Sequence, residues 1–151
     1  MYERIMVGID DDTAANQVLP SAIALATKFG ARLALCHALD ETPLAQNFAR
    51  VALPDGVAPV EASLRATAME FLEAAAAKVR EASVLVEVIV VESERSHAAD
   101  LLLKAASDWQ ADLLVIGGHK SSGVARLLAG GLAEQLASKA EISLLLVRSA
   151  R

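Results

Sequence analysis

Short apolar runs of strand length alternate with longer amphipathic stretches along this chain, and that alternation leaves few folds open. Residues 2–9 (YERIMVGI) read as a strand that ends where Asp10, Asp11 and Asp12 begin. Beyond them Val18, Leu19, Ala22, Ile23, Ala26 and Phe29 recur at three- and four-residue spacings, the apolar stripe of a helix that Asp12 or Thr13 can cap. Gly30 supplies a left-handed stop. Residues 32–38 (RLALCHA) are nearly all apolar, which suits a strand covered on both faces. Residues 40–59 hold no period and contain Pro43, Pro54, Gly56 and Pro59, so a long loop is expected. A helix over 61–81 follows, with Leu64, Ala68, Phe71, Leu72, Ala75 and Val79 on one side, then a strand over 84–91. Ser96 can cap a third helix whose inner face carries Ala98, Leu102, Ala105, Ala106 and Trp109. A strand over 112–117 (DLLVIG), a glycine-bearing loop, a helix over 131–139 and a strand over 142–148 (ISLLLVR) complete the chain.

Parallel strands need crossovers, and helices between successive strands provide them. The pattern therefore predicts an α/β fold, a doubly wound, mainly parallel five-stranded sheet with helices on both faces. If the strand order is 3-2-1-4-5, the winding reverses between the first and fourth strands and a crevice opens there, where ligands of such sheets bind.

Composition narrows the setting. The 151 residues are enough for one domain, 1–151, with a core that needs no disulfide or metal. Although 54% of the residues are hydrophobic, no stretch approaches the roughly 20 that a membrane-spanning helix requires. No secretory signal pattern stands at the start, so a cytoplasmic protein is expected. Cys36, the single cysteine, lies in an apolar run and reads as a small buried hydrophobe. A net charge of −5, no basic block and few aromatic residues argue against nucleic acid as a partner.

Two segments meet at the expected crevice: Gly8, Ile9 and Asp10 after the first strand, and residues 117–131 (GGHKSSGVARLLAGG) after the fourth. Glycines let a backbone approach a ligand closely, and free amides at a helix start point toward an anion, so the second segment suits phosphates. The alternative is that its glycines only permit tight turns. A P-loop would need Lys and Ser or Thr after Gly123, but Val124 and Ala125 stand there. The dinucleotide fingerprint fails as well, since Gly8 is followed by Ile9, Asp10, Asp11 and Asp12. The aspartate run invites a metal or phosphoaspartate reading of the haloacid dehalogenase kind, yet Ala14 occupies the place of the required Thr and no later acidic pair presents itself. Helix capping explains the run, and no metal site is expected. His37 reads as a satisfied core or rim residue, His97 as a solvated residue at a helix start, and His119, in the glycine loop, as within reach of a ligand. No spacing of Ser, His and Asp suggests a catalytic triad, so no catalytic residue and no enzyme is expected; the enzymatic alternative, a slow ATPase or a phosphatase, has no assigned general base or complete metal set behind it.

Taken together, VGID near the start, GARLALCHALD, ADLLVIGGHK and LLAGGLAEQLASKAEISLLLVR make nearly the whole chain resemble the universal stress protein family. That resemblance implies the 3-2-1-4-5 order, a cytoplasmic protein, and a homodimer formed by pairing the last strands, here from Ile142 at the start to Arg148 at the end. One branch of the family binds ATP through Gly, two residues, Gly, nine residues, Gly, then Ser or Thr. On this chain the first and third glycines are Gly117 and Gly130. Lys120 stands at the second glycine, Gly131 at the hydroxyl, and Ala133 at a further hydroxyl position. The resemblance also places Asp10 at the nucleoside, Gly8 and Ile9 beside the base, and Ala38 where the end of the second strand meets adenine.

The departures have physical weight. A hydroxyl lost from a charged phosphate contact costs about 1–3 kcal/mol, and each 1.4 kcal/mol or so is tenfold in affinity. Against this, Gly131 keeps its amide and Ser121 or Ser122 offers a replacement hydroxyl. Lys120 either blocks the path that a glycine leaves open or holds a phosphate by its charge. Residues 92–95 (ESER) place acid beside the third helix, which is either solvated or turned into the crevice against a polyphosphate. The resemblance thus implies a module binding or sensing ATP or a related adenine nucleotide. Its alternative is a dimeric stress protein that binds no ATP and acts through protein partners.

Overall fold

The computed structural model describes residues 1–9, 12–40, 57–93, 95–118 and 132–148. Strands and helices alternate through them: β1 (Arg4–Gly8), α1 (Asp12–Phe29), β2 (Arg32–Asp40), α2 (Val57–Glu81), β3 (Val86–Ser93), α3 (Ala98–Asp108), β4 (Leu113–Gly118), α4 (Leu132–Lys139) and β5 (Ser143–Arg148). The strands form one sheet in the order β3-β2-β1-β4-β5. Every pairing in it is parallel.

The three central strands bury both faces, which is why β1, β2 and β4 read as continuous apolar runs. On one face Ile5, Val7, Leu33, Leu35, Leu113 and Val115 pack with Val18, Leu19, Ala22 and Ala26 of α1 and with Leu72, Ala75, Ala76 and Val79 of α2. On the other, Met6, Ala34, Cys36, Leu114 and Ile116 pack with Ala99, Leu102, Ala105 and Ala106 of α3 and with Leu136 of α4. Leu72, Leu114 and Leu136 are fully buried, so truncating any one to alanine costs about 2–5 kcal/mol.

Several boundaries differ from those the sequence predicts, and each has a local cause. α2 begins at Val57, which places Pro59 in its first turn, where a missing N–H costs nothing. Pro20 lies inside α1; the helix carries on because the burial of Val18, Leu19, Ala22 and Ala26 holds it. His97, not Ser96, is the N-cap of α3, and its side chain makes no capping bond. The preceding turn is organised by Ser93 instead, whose Oγ accepts from the amides of Arg95 and Ser96 at 3.0 and 3.1 Å. Asp112 stands before β4 rather than in it, and its carboxylate accepts from the amides of Glu3 and Arg4 at 2.8 and 3.2 Å.

Candidate nucleotide-binding notch

β1 is shorter than its neighbours at the carboxyl edge of the sheet, and the difference shapes the site. Its last paired residue, Gly8, stands opposite Cys36 on β2 and Ile116 on β4. β2 continues four residues further, pairing with β3 as far as Asp40 and Ser93. β4 continues to Gly117 and Gly118, which pair with Val147 and Arg148. A notch results, floored by Gly8 and Ile9 and flanked by Ala38 and Gly117. It lies where the sheet order reverses its direction of winding, between β1 and β4. Because each helix returns the chain from one parallel strand to the start of the next, α1 and α4 begin at this same edge and direct the positive ends of their dipoles toward it.

Gly8 has a packing reason to be glycine. A Cβ there would lie 3.3 Å from Ile116 Cγ2 and 3.5 Å from Leu102 Cδ1, so its bare backbone lets α3 close against the sheet beneath the notch. The Ile9 side chain is buried in the core of the opposite face. Only its backbone remains to face a ligand. The Ile9 amide donates to the Cys36 carbonyl at 2.9 Å, and its carbonyl accepts from His37 Nδ1 at 2.6 Å. Ala38 is half-buried against the α3-side core.

Of the residues the sequence picks out for a ligand, the notch brings together Gly8, Ile9, Ala38 and Gly117. Asp10, His119, Lys120, Gly130 and Gly131 lie outside the described residues. His37, read from sequence only as a satisfied rim residue, is satisfied, and its partner is the notch floor itself. Nothing in its apolar surroundings signals that partner; only the strand register does. His97 is exposed at the start of α3. Burial pushes the Cys36 thiol up to about 12, so the only cysteine is an unreactive core residue.

The acidic rim is resolved at Glu92. Even-numbered residues of β3 face α2, and the Glu92 carboxylate accepts from Arg65 at 3.1 Å. It is thus turned to the helix rather than left as an unpaired charge at the notch. Among the described residues no group of His, Cys, Asp or Glu is placed to hold a metal, and no helix is long and apolar enough to cross a membrane. An open depression of about 820 Å³ lies at the opposite edge, bordered by Phe29, Gly30, Ser83 and Leu85. The Glu3 and Arg4 amides beside it are already taken by Asp112.

An open parallel sheet in the order β3-β2-β1-β4-β5, with a glycine-floored notch at its switch point, defines a doubly wound α/β protein. The family model for the universal stress protein family matches residues 1–148, and the chain belongs to that family. Solved structures share the fold. A universal stress protein family member from Burkholderia pseudomallei is 24% identical with a TM-score of 0.74, over 97% of this chain and 96% of that one. A universal stress protein in complex with cAMP is 22% identical with a TM-score of 0.68, over 99% and 98%. A family protein from Arabidopsis thaliana with AMP bound is 15% identical with a TM-score of 0.70, over 98% and 92%. No curated protein matches the chain.

Proposed function

We propose that this universal stress protein is a module that binds or senses ATP or a related adenine nucleotide in the stress response. The observation that carries this reading is the overrun of β2 past β1. Backbone groups alternate sides along a strand. Since the Cys36 carbonyl faces β1, the N–H and C=O of Ala38 face the same way, beyond the last β1 pair. A neighbouring donor and acceptor of that kind complement adenine, whose ring N1 accepts and whose 6-amino group donates. Guanine presents the reverse pattern and is disfavoured. Asp10 would meet the nucleoside, and Gly117, His119, Lys120, Gly130 and Gly131 the phosphates, with Lys120 standing where the family motif has glycine. Relatives solved with cAMP and with AMP support the ligand class. The reading assigns no catalytic residue and places the protein in the cytoplasm.

The test is titration calorimetry with ATP, AMP and GTP, together with mass spectrometry of small molecules retained through a gentle purification. Adenine nucleotides are expected to bind at least tenfold more tightly than GTP. The double change Lys120→Gly with Gly131→Ser is expected to tighten ATP binding by tenfold or more. No binding at millimolar nucleotide would overturn the reading.

One observation favours a second property, a homodimer. β5 is an edge strand; Leu145 on it is 36% exposed and Leu144, Leu146 and Val147 are half-buried. A partner strand pairing along residues 142–148 would cover that edge. A stress protein acting through protein partners would use such an assembly without any nucleotide. Sedimentation is expected to show a dimer that Leu145→Lys dissociates, with or without ATP. A wild-type monomer at tens of micromolar excludes it.

A further inference from the structure

We propose that His37 is a positioning residue for the notch: its imidazole engages the Ile9 carbonyl and so leaves the Ala38 amide available to a ligand. The inference deepens the nucleotide reading above and rests on it for the identity of the ligand, though not for the geometry.

The parallel ladder defines what is displaced. With Gly8 opposite Cys36, the Ile9 amide donates to the Cys36 carbonyl. Regular continuation would have the Ala38 amide donate to the Ile9 carbonyl. That rung is not made. The Ile9 carbonyl is instead 2.6 Å from His37 Nδ1. A carbonyl only accepts, so Nδ1 carries the proton. The ring holds it in the neutral Nδ1–H tautomer and in the imidazolium alike, so the contact does not depend on the charge of the ring.

The imidazole is itself held in place. Odd-numbered residues of β2 face α2, and Phe71 of that helix meets the His37 ring edge-on, with centroids 5.1 Å apart and planes at 87°. Edge-to-face contact of this kind fixes ring orientation. A chain of contacts therefore runs from α2 through Phe71 and His37 to the notch floor. Its consequence is a strand amide that has given up its regular partner next to the site. A ring nitrogen acceptor on a ligand is what such an amide would take.

Amide hydrogen exchange on the ligand-free protein, followed residue by residue, tests the geometry without any nucleotide. In the wild type the Ala38 amide is expected to exchange at least tenfold faster than the Cys36 amide in the same strand. In His37→Leu the Ile9 carbonyl becomes available, and Ala38 is expected to gain tenfold or more protection. AMP affinity should then fall at least tenfold, while affinity for tripolyphosphate, which carries no base, stays within twofold. His37→Asn, which keeps a donor near the Nδ1 position, should restore both readouts. A protected Ala38 amide in the wild type, or exchange unchanged in His37→Leu, overturns the assignment whether or not any nucleotide binds. If the wild type binds AMP and His37→Leu binds it equally well, the assignment also fails. If the wild type binds none, the nucleotide reading fails alone and the exchange data still decide the role of His37.

Discussion

The guanidinium of Arg4 lies 4.1 Å from the centroid of the Trp109 ring, and its Nε donates to the Trp109 carbonyl at 2.8 Å. Trp109 Nε1 donates in turn to the Glu87 carboxylate, so β1, α3 and β3 are tied together at the amino edge of the sheet. Replacing Arg4 with Met keeps much of the aliphatic stem and removes the cation and the donor. The expected loss is about 1–2 kcal/mol. Trp109 is the only tryptophan, so its emission reports this corner during urea unfolding. Arg4→Lys should recover less than half of the loss, because an ammonium cannot stack as a planar guanidinium does. An unchanged midpoint in Arg4→Met would show that the contact contributes nothing.

Three helices end in the same way with different residues. Gly30 has φ of 66° after α1, Ser83 of 61° after α2 and Gln110 of 60° after α3. In each case the next amide reaches back to close the turn: Ala31 to the Ala26 carbonyl, Val84 to that of Val79 and Ala111 to that of Ala106. Only glycine takes this conformation without a penalty from its Cβ, a penalty of about 1–2 kcal/mol. After allowing for the greater freedom of glycine in the unfolded chain, Ser83→Gly and Gln110→Gly should each stabilise by about 0.5–1 kcal/mol. Gly30→Ala should cost about 1 kcal/mol, from the backbone alone, since no atom lies within 4 Å of the added Cβ. Thermal unfolding of the three variants measures the signs, and a rise for Gly30→Ala would contradict the account.

These caps also mark what is legible in the sequence. Gly30 announces a stop, whereas Ser83 and Gln110 do not, because the backbone bonds that close each turn, rather than residue propensity, hold them in the left-handed region. Both-sided burial makes β1, β2 and β4 readable as apolar runs. The strand order is less local: it follows from the resemblance that VGID, GARLALCHALD and ADLLVIGGHK carry. Glycines at Gly8 and Gly117 point to the carboxyl edge, but the notch depends on how far β2 and β4 outrun β1, a register property that no single segment encodes. His37 shows the same limit, since its partner lies 28 residues away in sequence.

Glu92 provides a test of the electrostatics around the notch. Its carboxylate is committed to Arg65, so its field at the ligand edge is largely neutralised. Both partners are well exposed, and an ion pair of that kind contributes about 0–1 kcal/mol. Glu92→Gln should therefore change stability by less than about 1 kcal/mol and ATP affinity by no more than twofold. Arg65→Ala should weaken ATP binding modestly by freeing the carboxylate, and Arg65→Ala with Glu92→Gln should restore it. A large gain in affinity from Glu92→Gln alone would mean that the acid faces the ligand after all.

Cys36 sets a pH dependence whose sign can be worked out. Burial raises its thiol from 9.0 to about 12. Between those values the folded protein keeps a proton that the unfolded chain releases, so rising pH draws the equilibrium toward the unfolded state. The stabilisation linked to this thiol is complete below about pH 9 and declines as pH climbs toward 12, with a slope approaching about 1.4 kcal/mol per pH unit. The informative quantity is the difference between the wild type and Cys36→Ala, which isolates the thiol. Denaturant unfolding over alkaline pH should show the two stability curves converging as the wild type loses its advantage. Parallel curves would mean that the thiol ionises equally easily in both states. In that event a thiol reagent would also modify the native protein directly, rather than only through unfolding.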